Sequence, residues 1–269
     1  MNAFLQHFLF EFKTGIRNKQ LLLMNYLFPL GFFLLMGFIM PAINPPFRDD
    51  LIPALVVFAI LAATLLGIPD PLVYARDSGI FRSYRINGIP SLTILMIPTL
   101  TALLHLVITA AIITLTSPLL FKSPPPTNWL NYVVVFIALA VANTGISVLI
   151  GVISSSSRMT VLWSQILFIP SMLLGGMMIP NSLLPDAIGK LSRLLPATLA
   201  MNAFKGLAFD RVADFSAWGS VLILLVGGLI AVCLAVYLFS WDNRNPARRG
   251  KTWLALLVLL PFIAGVFLL

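Results

Sequence analysis

The stretch LIPALVVFAILAATLLGIP, residues 51–69, carries no charged side chain and lies between Asp50 and Asp70. As an α-helix rising 1.5 Å per residue it would be about 29 Å long, close to the roughly 30 Å of a bilayer's hydrocarbon core. Similar charge-free runs occupy 20–47, 86–121, 123–157, 159–185, 215–241 and 252–269. Lipid offers the backbone no hydrogen-bond partner, so runs of this length must close their hydrogen bonds within a helix. The whole composition agrees, with 59% hydrophobic and only 10% charged residues, where a soluble domain carries about 25% charged. So few charges are too few to coat a water-soluble globule of this size. The fold class that follows is all-α: a polytopic membrane protein with spans near 21–40, 51–69, 93–117, 129–153, 159–179 and 218–239. A seventh span is expected at 252–269, leaving six if that segment only dips into the interface. Trp129, Trp218, Trp241 and Trp253 fall at the expected span ends, where interfacial tryptophan is favoured.

Working outward, residues 1–20 form a segment of their own. Phe4, Leu5, Phe8, Leu9, Phe12 and Ile16 fall on one helical face, with Lys13 and Arg17 elsewhere on the wheel. This pattern predicts an amphipathic helix lying on the membrane surface and in contact with lipid. The core then covers 21–240. Residues 241–269 hold a basic turn and the seventh helix. The lysines and arginines set the orientation. With the N-terminus inside, Lys13, Arg17, Lys19, Arg76, Arg82, Arg85, Arg158, Arg244, Arg248, Arg249 and Lys251 face the cytoplasm. Only six remain outside, and four of those belong to the one long segment 180–217. The positive-inside rule thus places the N-terminus in the cytoplasm. Although the pI is about 10.1, the basic residues are scattered between apolar runs and do not form the continuous patch that nucleic acid requires.

Two polar intervals stand out. Residues 70–90, DPLVYARDSGIFRSYRINGIP, are too polar for a span. Arg82 and Arg85 lie three apart and project from one side of a short helix, with Ile80 and Phe81 as apolar companions. A solvated loop satisfying the positive-inside rule is the alternative. Residues 180–208 carry Pro180, Pro185 and Pro196 and an apolar stripe through Leu183, Leu184, Ile188, Leu191, Leu194 and Leu195. That pattern predicts two short helices, near 184–195 and 197–208, at the outer surface or re-entering the membrane.

Within these intervals the chain resembles the membrane subunit of the type-2 ATP-binding-cassette (ABC) exporter family. Arg76-Asp77-Ser78-Gly79-Ile80-Phe81-Arg82, closing at Pro90-Ser91, matches that family's acid-Arg-acid-x-Gly loop. Ala75 stands at the first acidic position, and Asp77 stands where glutamate is usual. Gly176 and Pro180, Leu184-Pro185, Leu195-Pro196 and Lys205 match the pattern after the fifth span, with lysine where arginine is common. The resemblance implies a permease that exports drug-, lipid- or glycan-like molecules by alternating access. It also implies a second permease subunit (the same chain or a related one), a cytosolic ABC ATPase that binds ATP-Mg, and a plasma-membrane location. Under it, Arg76, Asp77, Gly79, Ile80, Phe81, Arg82 and Arg85 would form a coupling element docked on the ATPase. Gly176, Pro180, Pro185, Pro196 and Lys205 would belong to an outer gate.

The chain itself is not expected to bind a cofactor or hydrolyse ATP. Gly250-Lys251-Thr252 lacks the first glycine of a phosphate-binding loop, Asn245 standing in its place. His105 is the ionisable side chain set deep in a span. Together with Asn143 and Gln165 it could line a polar pathway, or these groups could simply bond between helices. His7 and His105, the two histidines, form no metal or catalytic constellation with the carboxylates. The rival readings are an ion-coupled or passive carrier and a non-transporting membrane assembly factor.

Overall fold

The computed structural model describes residues 13, 19–241 and 251–269. Most of the surface helix expected over 1–20, and the turn at 242–250, lie outside the described residues. The described chain is all-helical. We label its helices α1 Leu23–Ile43, α2 Phe47–Asp77, α3 Ile80–Ile86, α4 Ser91–Phe121, α5 Trp129–Ile153, α6 Ser157–Leu174, α7 Asp186–Ser192, α8 Pro196–Ala203, α9 Ala217–Leu238 and α10 Thr252–Leu268.

Five of them, α1, α2, α4, α5 and α9, are long and apolar enough to cross a membrane. α6 has 18 residues, and with Ser157, Arg158 and Thr160 in its first turn it has no uninterrupted apolar stretch of spanning length. The helix found where a span was expected over 159–179 is Ser157–Leu174, which is not among the five long enough and apolar enough to cross. It stops at Leu174 because Gly175 and Gly176 follow. Gly176 takes φ 81°, a left-handed conformation that ends helices and that glycine adopts without steric cost. α2 and α4 run the other way, reaching 31 residues each, about 47 Å at 1.5 Å per residue. Asp49 and Asp50 sit in the first turn of α2, where the helix dipole favours negative charge.

The helices do not share burial equally. In α2, 94% of the most apolar window is buried inside the protein, against 28% in α1. α2 and α5 thus form the centre, and α1 and α6 present apolar faces outward through residues such as Phe38 and Ile166. α5 and α9 run parallel and touch backbone to backbone. A Cβ at Gly228 would lie 2.8 Å from the Ala142 nitrogen, and one at Gly145 would lie 2.7 Å from the Gly228 carbonyl oxygen. Small residues permit such close approach where lipid supplies no hydrophobic drive between helices.

α10 runs antiparallel along α9. Leu269 rests at Gly219, Ile223 at Gly265 and Phe262 at Gly227. Its first seven residues are a 3-10 helix and the next ten an α-helix. At about 2.0 and 1.5 Å rise per residue these give roughly 29 Å in 17 residues.

Candidate functional site

The end of the bundle that carries α3 is built around Arg76. Its guanidinium is buried and donates to the carbonyl oxygens of Val152, at 3.1 Å, and Ser154, at 2.6 Å. Val152 lies in the last turn of α5 and Ser154 is its C-cap, where an α-helix leaves its acceptors unpaired. Arg76 also contacts Asp77 at 3.3 Å. One side chain thereby ties the end of α2 to the end of α5.

Between α2 and α3, Gly79 takes φ 80°. A side chain there would be strained by about 1–2 kcal/mol, so the reversal that starts α3 depends on glycine. Phe81 points inward and meets Phe239 at a ring distance of 5.3 Å. The Arg85 guanidinium sits 6.0 Å above the Trp241 ring. α3 is thus moored to α2 on one side and to the end of α9 on the other. Its outward face carries Arg82, Arg85 and Ile86, with Asp77 and Ile80 also exposed. Ile86 is 80% exposed and Tyr74 67%, a large apolar display beside two cations.

The opposite end of the bundle is organised by charge. Asp50 meets Arg211 at 3.0 Å and Lys205 at 3.7 Å, and Asp49 meets Arg211 at 3.9 Å. Lys205, one of the expected gate residues, therefore pins the π turn Phe204–Ala208 to the start of α2. α8 sinks into the protein, every residue from Pro196 to Ala203 being buried, whereas Leu183 and Leu191, before and within α7, are exposed. Pro180 precedes the 3-10 turn Asn181–Leu183, Pro185 precedes α7, and Pro196 occupies the first turn of α8, where its missing N–H costs nothing. Asn202 closes the return to α9. Its amide nitrogen donates to the Phe215 carbonyl at 2.9 Å, and its amide oxygen accepts from Asp214 and Phe215. The backbone amides of Thr127 and Asn128 donate to the Ala208 carbonyl, which staples the segment after α8 to the start of α5.

Asp50→Ala is expected to free Lys205 and to leave Arg211 with only its longer contact to Asp49. Loss of a charged hydrogen bond at this half-buried site should cost about 1–3 kcal/mol. Thermal unfolding of the purified protein would read this as a Tm lower by several degrees.

The three polar residues expected along a pathway are not brought to one place. His105 is buried and shares a 2.6 Å hydrogen bond with the Tyr26 hydroxyl, joining α4 to α1. It lines a cavity of about 200 Å³ at the α3 end, and neither Asn143 nor Gln165 lines that cavity. Asn143 is fully buried on α5, its amide atoms without hydrogen-bond partners among the described residues. Gln165 is half-buried on α6. The residues that sequence reading missed are Asp49, Asp50 and Arg211, whose partners lie far away in the chain, and Asn202, which bonds across the turn to Asp214, Phe215 and Ser220. No cluster of three or more histidine, cysteine or carboxylate side chains suited to a metal occurs among the described residues.

A bundle with five helices long and apolar enough to cross a membrane, a moored basic helix at one end and a buried short helix at the other has the form of a membrane permease. The family model for the ABC-2 type transporter matches residues 3–209, more than half of the chain, and the protein belongs to that family. The matched domain is the membrane permease, which lacks the ATPase domain. The match stops before α9 and α10. No curated protein and no solved structure matches the chain significantly.

Proposed function

We propose that this chain is the membrane half of an ATP-driven exporter, paired with a second permease and powered by cytosolic ABC ATPase subunits that bind ATP-Mg. The observation that carries the reading is α3. Arg82, Arg85 and Ile86 are exposed, while buried Arg76 and Phe81 hold the helix to α2, α5 and the end of α9. The length of α2 supports it. About 47 Å of helix exceeds a 30 Å hydrocarbon core by some 17 Å, so α3 can stand clear of lipid and present its isoleucine to protein.

In this reading Asp77, Gly79, Ile80, Arg82 and Arg85 form the docking element, and Arg76 is the positioning residue that passes its movement to α5. The α3 end and the N-terminus face the cytoplasm of a plasma membrane, as the concentration of arginine there suggests. α6 crosses as a short sixth span. α10 crosses as a seventh, supported by its antiparallel course along the whole of α9. Segment 180–208, latched by Asp50, Lys205 and Arg211, forms the outer gate, with Gly176 as its hinge beside Asn181 and Met201. The substrate is a hydrophobic or amphipathic molecule leaving the cytoplasm or the inner leaflet.

The test is co-expression with the candidate ABC ATPases of the same organism, followed by affinity purification of this chain. One ATPase should be retained and should hydrolyse ATP in the complex. If none is retained, or if replacing 80–86 by a glycine-serine linker leaves retention unchanged, the reading fails.

Arg76→Leu separates docking from transmission. The exposed face of α3 is untouched, so the ATPase should still co-purify. The carbonyls of Val152 and Ser154 lose charge-assisted hydrogen bonds worth about 1.5–3 kcal/mol each. ATP turnover in the complex should accordingly fall by tenfold or more, measured by phosphate release.

A further inference from the structure

The cavity at the α3 end is bounded by four elements and lies within a single chain. It reaches from Asn25 on α1 past Ala63 on α2 and Phe81 and Tyr84 on α3 to Thr101 and His105 on α4. Two features distinguish it from a packing gap. First, α1 and α2 both depart from α-helical geometry beside it, as π turns over Leu23–Leu27 and Ala62–Leu66. Such turns are rare and concentrate at functional sites. Second, Asn25 is 5% exposed and Thr101 7%, and the Asn25 amide oxygen and the Thr101 hydroxyl have no hydrogen-bond partner among the described residues. A buried polar atom without a partner costs about 1–3 kcal/mol, and both residues line the cavity wall.

We propose that this cavity is a binding site for a neutral single-chain amphiphile, an alkanol-like molecule whose hydroxyl meets Asn25 and Thr101. The chemistry selects that class. No Asp, Glu, Lys or Arg side chain lines the cavity, so a charged ligand would lose its hydration without gaining a counter-charge. The Asn25 oxygen accepts only, and the Thr101 hydroxyl donates or accepts. A ligand hydroxyl has the matching chemistry, donating to the Asn25 oxygen and accepting from the Thr101 hydroxyl. Apart from Tyr84 and His105, whose Nδ1 is engaged by Tyr26, the rest of the wall is apolar, and about 200 Å³ exceeds the roughly 150 Å³ that suffices for benzene, so a chain of about eight carbons is the appropriate size. Because Phe81 and Tyr84 belong to α3, an occupant touches the inner side of that helix. Binding itself does not depend on whether α3 docks an ATPase.

The test uses the full chain in lipid nanodiscs and 3-azioctanol, a photoreactive octanol, with labelled residues located by mass spectrometry. Labelling should saturate and concentrate on the segments 21–25, 80–84 and 94–105. Unlabelled 1-octanol should protect these sites about tenfold better than heptyl methyl ether, which is of similar length but lacks the donor. Asn25→Leu should erase that preference while leaving the shape. Ala102→Phe should remove the labelling by filling the cavity; if that variant does not fold, Thr101→Val, which keeps the shape and removes the hydroxyl, should like Asn25→Leu erase the preference for alcohol over ether. Labelling spread evenly over outward-facing positions such as Phe38, Leu115 and Ile166, or equal protection by alcohol and ether, would overturn the proposal.

Discussion

Gly228→Leu is expected to abolish recovery of the folded protein. The reason is local and geometric. A Cβ at this position meets the Ala142 nitrogen at 2.8 Å and the Ala142 Cα and the Val141 carbonyl carbon at 2.9 Å. These are backbone atoms of the central helix, so no rotamer change relieves the clash. α5 and α9 would have to separate, and the pairing also holds Gly145 against the Gly228 carbonyl. Overpacking a core costs about 1–3 kcal/mol and more where nothing yields. The smaller Gly228→Ala should therefore lower Tm by roughly 4–8 °C for about 2 kcal/mol, and leucine should leave no monodisperse peak on size exclusion. Gly189→Ala is the internal control. That glycine lies in α7 with nothing within 4 Å of a built Cβ, so alanine should leave Tm unchanged or raise it slightly.

The second large effect concerns function. Arg82→Glu combined with Arg85→Glu should reduce ATPase retention at least tenfold while leaving the permease folded. Both side chains are exposed, and the double change moves the local charge by four units on one short helix. The anchors of α3, Phe81 against Phe239 and Arg76 against the end of α5, remain in place. Loss of the Arg85–Trp241 contact should cost little at an exposed site. Normal Tm with lost ATPase retention separates docking from stability. Lys substitutions at both positions should preserve much of the retention, since they keep charge and change only its geometry.

Much of this architecture was readable from residue types. Runs without charge located α1, α2, α4, α5 and α9, because burying an ionised group in lipid is expensive. Glycine at 79 and the Arg82–Arg85 spacing marked α3. What the sequence hid was long-range. Arg76 looked like one more exposed arginine of the loop, yet it shares a helical face with buried Leu72 and Val73, the one local sign that it turns inward. The burial of α8 depends on neighbours from α2, α5, α6 and α9, and an apolar segment with one lysine reads equally well as a surface helix. The latch of Asp50 with Lys205 and Arg211 joins residues more than 150 positions apart, a pairing that no spacing encodes. The end of α6 at Gly175 was overridden by hydropathy, since Met177, Met178 and Ile179 continue the apolar run past the glycines that break the helix.

The central claim is that α3 touches an ATPase. Cys233 is the single cysteine, so Cys233→Ala gives a cysteine-free chain to which one thiol can be returned at will. A cysteine placed at Ser83, exposed on α3, and another at Asn128, exposed at the opposite end of the bundle, can be charged with a short thiol-reactive photocrosslinker in membranes containing the ATPase. The account predicts a covalent adduct with the ATPase from position 83 and none from position 128. An adduct from 128 alone, or none from 83 in a complex that still hydrolyses ATP, would contradict it.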